Sequence, residues 1–225
     1  MGADDGIGVA MILAIFANNA LKHGPLEALL TSDEEAGLEG AMKFDVSQLK
    51  AQYLINIDGE DDKEICIGCP GSTELQSRIP YKRDSSVPKE TSNLRICLNG
   101  LVGGHSGMTI AQKRINAIKE IFMLLSVINQ TYDIRLVDIH KSGTGPNVIP
   151  SECIIDICVP NKDFLSIKKV IVTEGDALKV EFDLEKQLKL VCRPFKSTKT
   201  PLTKADSHKI IGCYAAFPNG VFTYN

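Results

Sequence analysis

Hydrophobic and polar positions divide the chain into two textures. Residues 6 to 22, GIGVAMILAIFANNALK, are apolar on almost every side. Such a run predicts a helix buried on most of its faces, capped by Asp4 or Asp5 and ended at Gly24 in HGP. PLEALLT, 25 to 31, predicts a strand, and EEAGLEGAMKF a turn and a short helix. AQYLINID, 51 to 58, predicts a second strand, apolar nearly throughout. Strands alternating with helices predict a parallel α/β sheet covered on both faces.

After CPGST the pattern changes. TELQSRIPYKR and SNLRICLNGL alternate apolar and polar residues, as half-buried strands do, with the polar DSSVPKET between them. Helical spacing of apolar residues follows over about 107 to 129. Strands are expected at about 133 to 140 and 152 to 159, then a helix at about 163 to 178 running on into the charged LKVEFDLEKQLKL. The expected fold class is therefore α/β: a partial catalytic-type layer over 1–71, then an α+β layer of order β-β-α-β-β-α over 72–225, with the boundary near Gly71. A last helix should stop at Pro218-Asn219-Gly220, a turn signal, and VFTYN reads as the opening of a strand.

Composition narrows the function. With 225 residues, 44% hydrophobic and 24% charged, the chain has the profile of a globular protein. Its net charge of −3 and the absence of any Lys/Arg block argue against a nucleic-acid partner. Its longest apolar stretch is too short and interrupted to span a membrane, and its opening residues predict no signal peptide. Seven cysteines, an odd number lying mostly in strand-like runs, predict a reducing, cytoplasmic setting. The lone C-x-x-C, Cys66 to Cys69, closes a strand instead of opening a helix, and reads as structural.

The acidic residues carry the candidate chemistry. Asp4 precedes the first helix, Glu34 and Glu35 follow the first expected strand, and Asp58 ends the second. In parallel α/β sheets the ligand crevice lies beyond the carboxyl ends of the strands, so these four carboxylates should converge on one edge. Like charges that close together need cations, and two divalent metals would serve. A plainer account also fits: SDEE matches a capping box, Ser32 as N-cap and Glu35 at N3, while Asp5 could be a cap and Asp58-Gly59 a turn.

Five motifs in order bear on this choice: GADDGIGVA, HGPLEALLTSDEEAGLEGA, YLINIDGEDDKEICIGCPG, GLVGGHSGMTI and TGPNVIP. Together they resemble the aminoacyl-histidine (Xaa-His, or cytosol non-specific) dipeptidases of the di-zinc aminoacylase/carboxypeptidase family, from residue 1 to about 225. The resemblance implies metal-dependent hydrolysis of dipeptides, of the Xaa-His type or non-specific. It implies Asp4 as a metal-bridging carboxylate, Glu35 and Asp58 as terminal metal ligands, and Glu34 as the general base. His105 of GGHSG matches a lid histidine that stabilises the developing oxyanion in relatives, often across a dimer, and Asn147 of PNVIP matches a lid residue that reaches the substrate or the oxyanion; a homodimer through the lid is therefore one expected arrangement. The implied cofactors are two divalent metal ions, zinc foremost, with manganese or cobalt as alternatives.

The sequence departs from the family in one respect. Relatives carry a histidine ligand upstream of the position matching Asp4 and another far downstream, after the lid; neither has a counterpart here. The chain is thus expected to be truncated at both ends and inactive alone, with an all-carboxylate site suited to Mg or Mn more than Zn. The rival expectation is a non-catalytic interaction protein that pairs through its lid-like layer.

Overall fold

A computed structural model describes residues 5–34, 37–59, 63–65, 67–68, 71, 73–107, 109–112, 114–140, 145, 147–182 and 184–222. The chain divides into two compact units, Met1–Glu74 and Leu75–Asn225.

The first unit holds two helices, α1 (Gly6–Ala17) and α2 (Glu39–Lys43). Asp5 caps α1, its carboxylate accepting the Gly8 N–H at 2.9 Å. Only Gly8 among this unit's described residues is buried. Ile7, Met11, Leu13 and Phe16 of α1 are exposed, so the helix expected to be buried on most sides presents those sides outward. It also stops at Ala17, five residues short of expectation. The two expected strands do not form among the described residues: 25–31 and 51–58 have no strand pairing. Their composition suits a central parallel strand, but a strand exists only as part of a ladder. Without partners Leu54 and Ile55 stay 79% and 82% exposed. The two runs are linked instead by Glu27, whose carboxylate accepts the N–H groups of Lys50 (2.9 Å) and Ala51 (2.7 Å).

The second unit is an antiparallel sheet with helices on one face. Its strands are β1 (Thr91–Asn99), β2 (Gly104–His105), β3 (Arg135–His140), β4 (Val148–Ile149), β5 (Cys153–Pro160) and β6 (Lys189–Phe195). Its helices are α3 (Ala117–Thr131), α4 (Phe164–Glu181) and α5 (Lys204–Ala216). The four long strands are ordered β3-β5-β1-β6, and β2 with β4 makes a separate two-stranded ribbon. In β1, Leu94, Ile96 and Leu98 are fully buried while Asn93, Arg95 and Cys97 are half-buried. That period of two puts one face on the core. Cys153, Ile155, Ile157 and Val159 of β5 continue the face, and Ile121, Phe122, Leu125 and Ile128 of α3 and Ile167, Ile171 and Leu178 of α4 cover it. Tyr214 of α5 stacks on Phe122 at 4.3 Å.

Three elements differ from expectation for identifiable reasons. The third helix starts at Ala117, ten residues late, because Asn116 caps it, accepting the N–H groups of Ile118 and Lys119; the stretch before it includes a 3-10 turn, Ile110–Gln112. The charged tail of α4 gives way to β6, an edge strand whose Lys189, Val191 and Arg193 point to solvent while Leu190 is buried. Edge strands tolerate such charges, and Pro194 too. Residues 73–83 form no strand; Arg83 makes one isolated bridge to Leu202. Its guanidinium donates to the carbonyls of Val137 and Thr200. No strand is assigned at Val221 and Phe222, and residues 223–225, like Cys66 and Cys69, lie outside the described residues. The five described cysteines are free thiols.

The sheet's other face carries one buried charge. Asp156, 2% exposed, accepts two hydrogen bonds from Arg95 across the β1–β5 pair, at 2.7 and 2.8 Å, and stands 3.0 Å from Nε2 of His140 on β3. Burial pushes its carboxyl up, but the bonds from Arg95 and His140 outweigh that and hold it below the ordinary value. Such a group contributes stability at pH above its unfolded value of about 4 and loses it as pH falls through the lower folded value. Replacing Asp156 with Asn should cost on the order of 3 kcal/mol at pH 7, since the Arg95 guanidinium loses its carboxylate partner. Urea unfolding at pH 7 and pH 3 checks this: the gap between wild type and variant should shrink at pH 3. Hydrogen exchange checks the contrast between units. Amides of Ile96 and Ile155 should exchange at least about 10²-fold more slowly than those of α1, an unsupported helix of marginal length.

Candidate functional site

Glu34 sits in a turn closed by backbone hydrogen bonds. Its carbonyl accepts the N–H groups of Gly37 (3.1 Å) and Leu38 (2.9 Å), that of Asp33 accepts Glu39 N–H (3.3 Å), and that of Ser32 accepts Gly40 N–H (3.1 Å). The turn is strained: Asp33 and Leu38, neither a glycine, adopt left-handed backbone at φ 57° and 61°. Each costs roughly 1–2 kcal/mol, and such strain clusters at functional sites. Gly40 is forced, because a Cβ there would lie 2.5 Å from the Ser32 carbonyl oxygen.

This turn excludes the capping-box account. The helix after it begins at Glu39, and its N-cap is Leu38, which makes no side-chain cap bond. Ser32 is therefore not the N-cap of that helix, and Glu34 lies before its start. The Glu34 side chain is exposed. Asp58 is exposed too, at the end of the 51–58 run, with its N–H bonded to Asn56 Oδ1 at 3.0 Å. Asp4 and Glu35 lie outside the described residues. Among the described residues, no three His, Cys, Asp or Glu side chains are grouped closely enough to hold a metal ion. Glu34 and Asp58 offer only carboxylate oxygens, hard donors that suit Mg or Mn better than Zn. The described residues alone thus do not fit a zinc centre. Of the histidines, His140 stands against Asp156, and His23 bonds the Gly24 carbonyl through Nδ1.

In the second unit the structure brings His105 and Asn147 together although 42 residues separate them in sequence. The antiparallel β1–β5 pair is the cause. Leu98, near the end of β1, faces Cys153, the first residue of β5. The chain leaving β1 and the chain entering β5 therefore start side by side. They zip into the β2–β4 ribbon, where Gly104 faces Ile149 and His105 faces Val148. Ser106 N–H then donates to the Asn147 carbonyl at 2.7 Å. The Asn147 amide nitrogen lies 3.2 Å from His105 Nε2, and both residues are exposed. Glycine makes the turn into the ribbon: Gly103 and Gly104 have φ of +65° and +151°.

Sequence reasoning missed the Asp156–Arg95–His140 network. A charged residue inside the otherwise apolar CIIDICV was its signal, since an unpaired carboxylate cannot stay in such a run.

Comparison with known proteins follows this geometry. No family model matches the chain. The cytosol non-specific dipeptidase of Escherichia coli K12 is 37% identical over 222 residues, which is 98% of this chain and 45% of that protein. Peptidase T of Salmonella schwarzengrund is 44% identical over 62 residues, 26% of this chain and 15% of the relative. Among solved structures, the aminoacylhistidine dipeptidase of Vibrio alginolyticus superposes with a TM-score of 0.78 at 32% identity, covering 100% of this chain and 46% of that one. The chain spans a little under half the length of these two dipeptidases. Within that span it is homologous to the cytosol non-specific and aminoacylhistidine dipeptidases.

Proposed function

We propose that the chain carries part of the hydrolytic machinery of a metal-dependent dipeptidase, acting on dipeptides of the Xaa-His type or without strong preference. The observation that supports this most is the backbone around Glu34: Asp33 and Leu38 are strained, Ser32 is not a helix cap, and the Glu34 carboxylate is exposed. Asp4, Glu35 and Asp58 are the residues that would hold the metal. Two divalent ions, zinc foremost and manganese or cobalt as alternatives, would supply Lewis acidity, acidifying water and polarising the peptide carbonyl. Glu34 is the proposed general base: it takes a proton from the attacking water and returns it to the leaving amine, a role worth about 10² to 10⁴ in rate. His105 and Asn147 are the proposed donors to the carbonyl oxygen as negative charge builds on it.

The substrate is a dipeptide, and pairing of two chains through residues 72–225 belongs to the same reading. No helix among the described residues is long and apolar enough to cross a membrane. The free thiols agree with a cytoplasmic setting.

Metal titration of the 225-residue chain separates ligands from base. Alanine at Asp4, Glu35 or Asp58 should each weaken manganese or zinc binding by at least about tenfold, the equivalent of one lost ligand at 1.4 kcal/mol. Glu34→Gln should leave affinity nearly unchanged, because Gln keeps the shape of Glu and loses only its proton-carrying ability. Equal weakening by Glu34→Gln would show the roles to be misassigned, and unchanged affinity in Asp58→Ala would remove the metal reading.

Turnover gives a second test. A catalytic zinc typically takes three protein ligands, and the proposed set offers carboxylates without an imidazole. The chain by itself, supplied with zinc, manganese or cobalt, should therefore hydrolyse an Xaa-His dipeptide well below the usual enzyme range of roughly 1 to 10³ per second. Turnover within about tenfold of that range would mean that other residues complete the site.

A further inference from the structure

The His105 ring is held by its own short loop. Thr109 grips the His105 carbonyl twice, through its backbone N–H at 2.9 Å and its hydroxyl at 2.9 Å. The backbone N–H of Gly107 donates to the ring at Nδ1, at 3.1 Å. At the ring's other nitrogen, Nε2, stands the Asn147 amide, at 3.2 Å. The fit leaves little slack. A Cβ on Gly104 would lie 2.1 Å from Thr109 Oγ1, and one on Gly107 would lie 3.3 Å from Nδ1.

A backbone N–H can only donate. The nitrogen that receives it must present a lone pair, so the single proton of the neutral imidazole sits on Nε2. Asn147 then turns its amide oxygen toward Nε2, a half-turn that exchanges two atoms of nearly equal size. We infer that Gly107 and Thr109 are positioning residues that fix His105 as an Nε2–H donor. This rests on the reading of His105 as donor to the reacting carbonyl oxygen and deepens it: the ring carries its proton at Nε2, held by the Asn147 amide oxygen until a carbonyl oxygen takes that bond, and does not collect a proton there. A donor held in place beforehand needs no reorganisation when charge develops. Thr109 acts through the loop: by tying the His105 carbonyl, it sets the reach between Gly107 N–H and Nδ1.

Nuclear magnetic resonance of the ¹⁵N-labelled 225-residue chain tests this directly. The signature is a scalar coupling across the hydrogen bond, between the Gly107 amide nitrogen and His105 Nδ1, with His105 assigned by the signals lost in His105→Gln. The expected result is a measurable coupling, an unprotonated Nδ1 and a protonated Nε2. In Thr109→Val the coupling should fall several-fold, and Thr109→Ser should restore it, while the Ile96 and Ile155 amide signals stay in place to show an intact sheet. A protonated Nδ1, or a coupling unchanged in Thr109→Val, overturns the inference. The measurement does not depend on turnover. A donor-form ring in a chain whose carboxylates fail to bind metal would remove the dipeptidase reading and leave the clamp; a protonated Nδ1 would remove the clamp and leave that reading.

Discussion

The antiparallel pairing of β1 with β5 is the interaction on which the second unit depends. It runs from Thr91 opposite Pro160 to Leu98 opposite Cys153. One face of the pair supplies the centre of the core: Leu94, Ile96, Ile155 and Ile157 are all fully buried. The other face carries the Arg95–Asp156 bridge, which ties the same two strands by charge. Register also sets what happens at one end of this ladder. A slip of one residue would turn every core side chain outward, and it would also separate the chain ends that lead to His105 and Asn147. Stability and the meeting of His105 with Asn147 thus rest on the same backbone register.

The first unit shows what happens when such a ladder is missing. Its segments have the composition of buried elements, and α1 is as apolar as a core helix. Yet Leu54, Ile55 and most of α1 face outward, because no sheet forms among the described residues to receive them. An exposed apolar surface of this kind invites association. What remains well defined is local: the Asp5 cap on α1, the Glu27 link to Lys50 and Ala51, and the self-closed turn around Glu34.

Legibility in the sequence followed the same division. β1, β3, β5 and α4 were readable to within about three residues of their ends because burial on one face imposes a period that local sequence must obey. β6 was not, since an edge strand with Lys189 and Arg193 outward resembles a charged helix tail. The start of α3 turned on one capping asparagine, Asn116, a detail that apolar spacing does not report. SDEE matched a capping box in sequence, but the helix begins at Glu39 and its N-cap is Leu38, not Ser32. The pairing of His105 with Asn147 has no local signal; it is a product of topology, and only the motif resemblance pointed to either residue. Of the proposed metal ligands, Asp58 alone lies among the described residues, exposed at the end of a run that makes no strand.

The most direct measurement of the metal account is a manganese anomalous difference map from crystals of the 225-residue chain grown with manganese, the ion an all-carboxylate set suits. The account predicts density within coordination distance of carboxylate oxygens of Asp4, Glu35 and Asp58, with Glu34 close by but not bound to the metal. Manganese found elsewhere, with none beside those carboxylates, would contradict it.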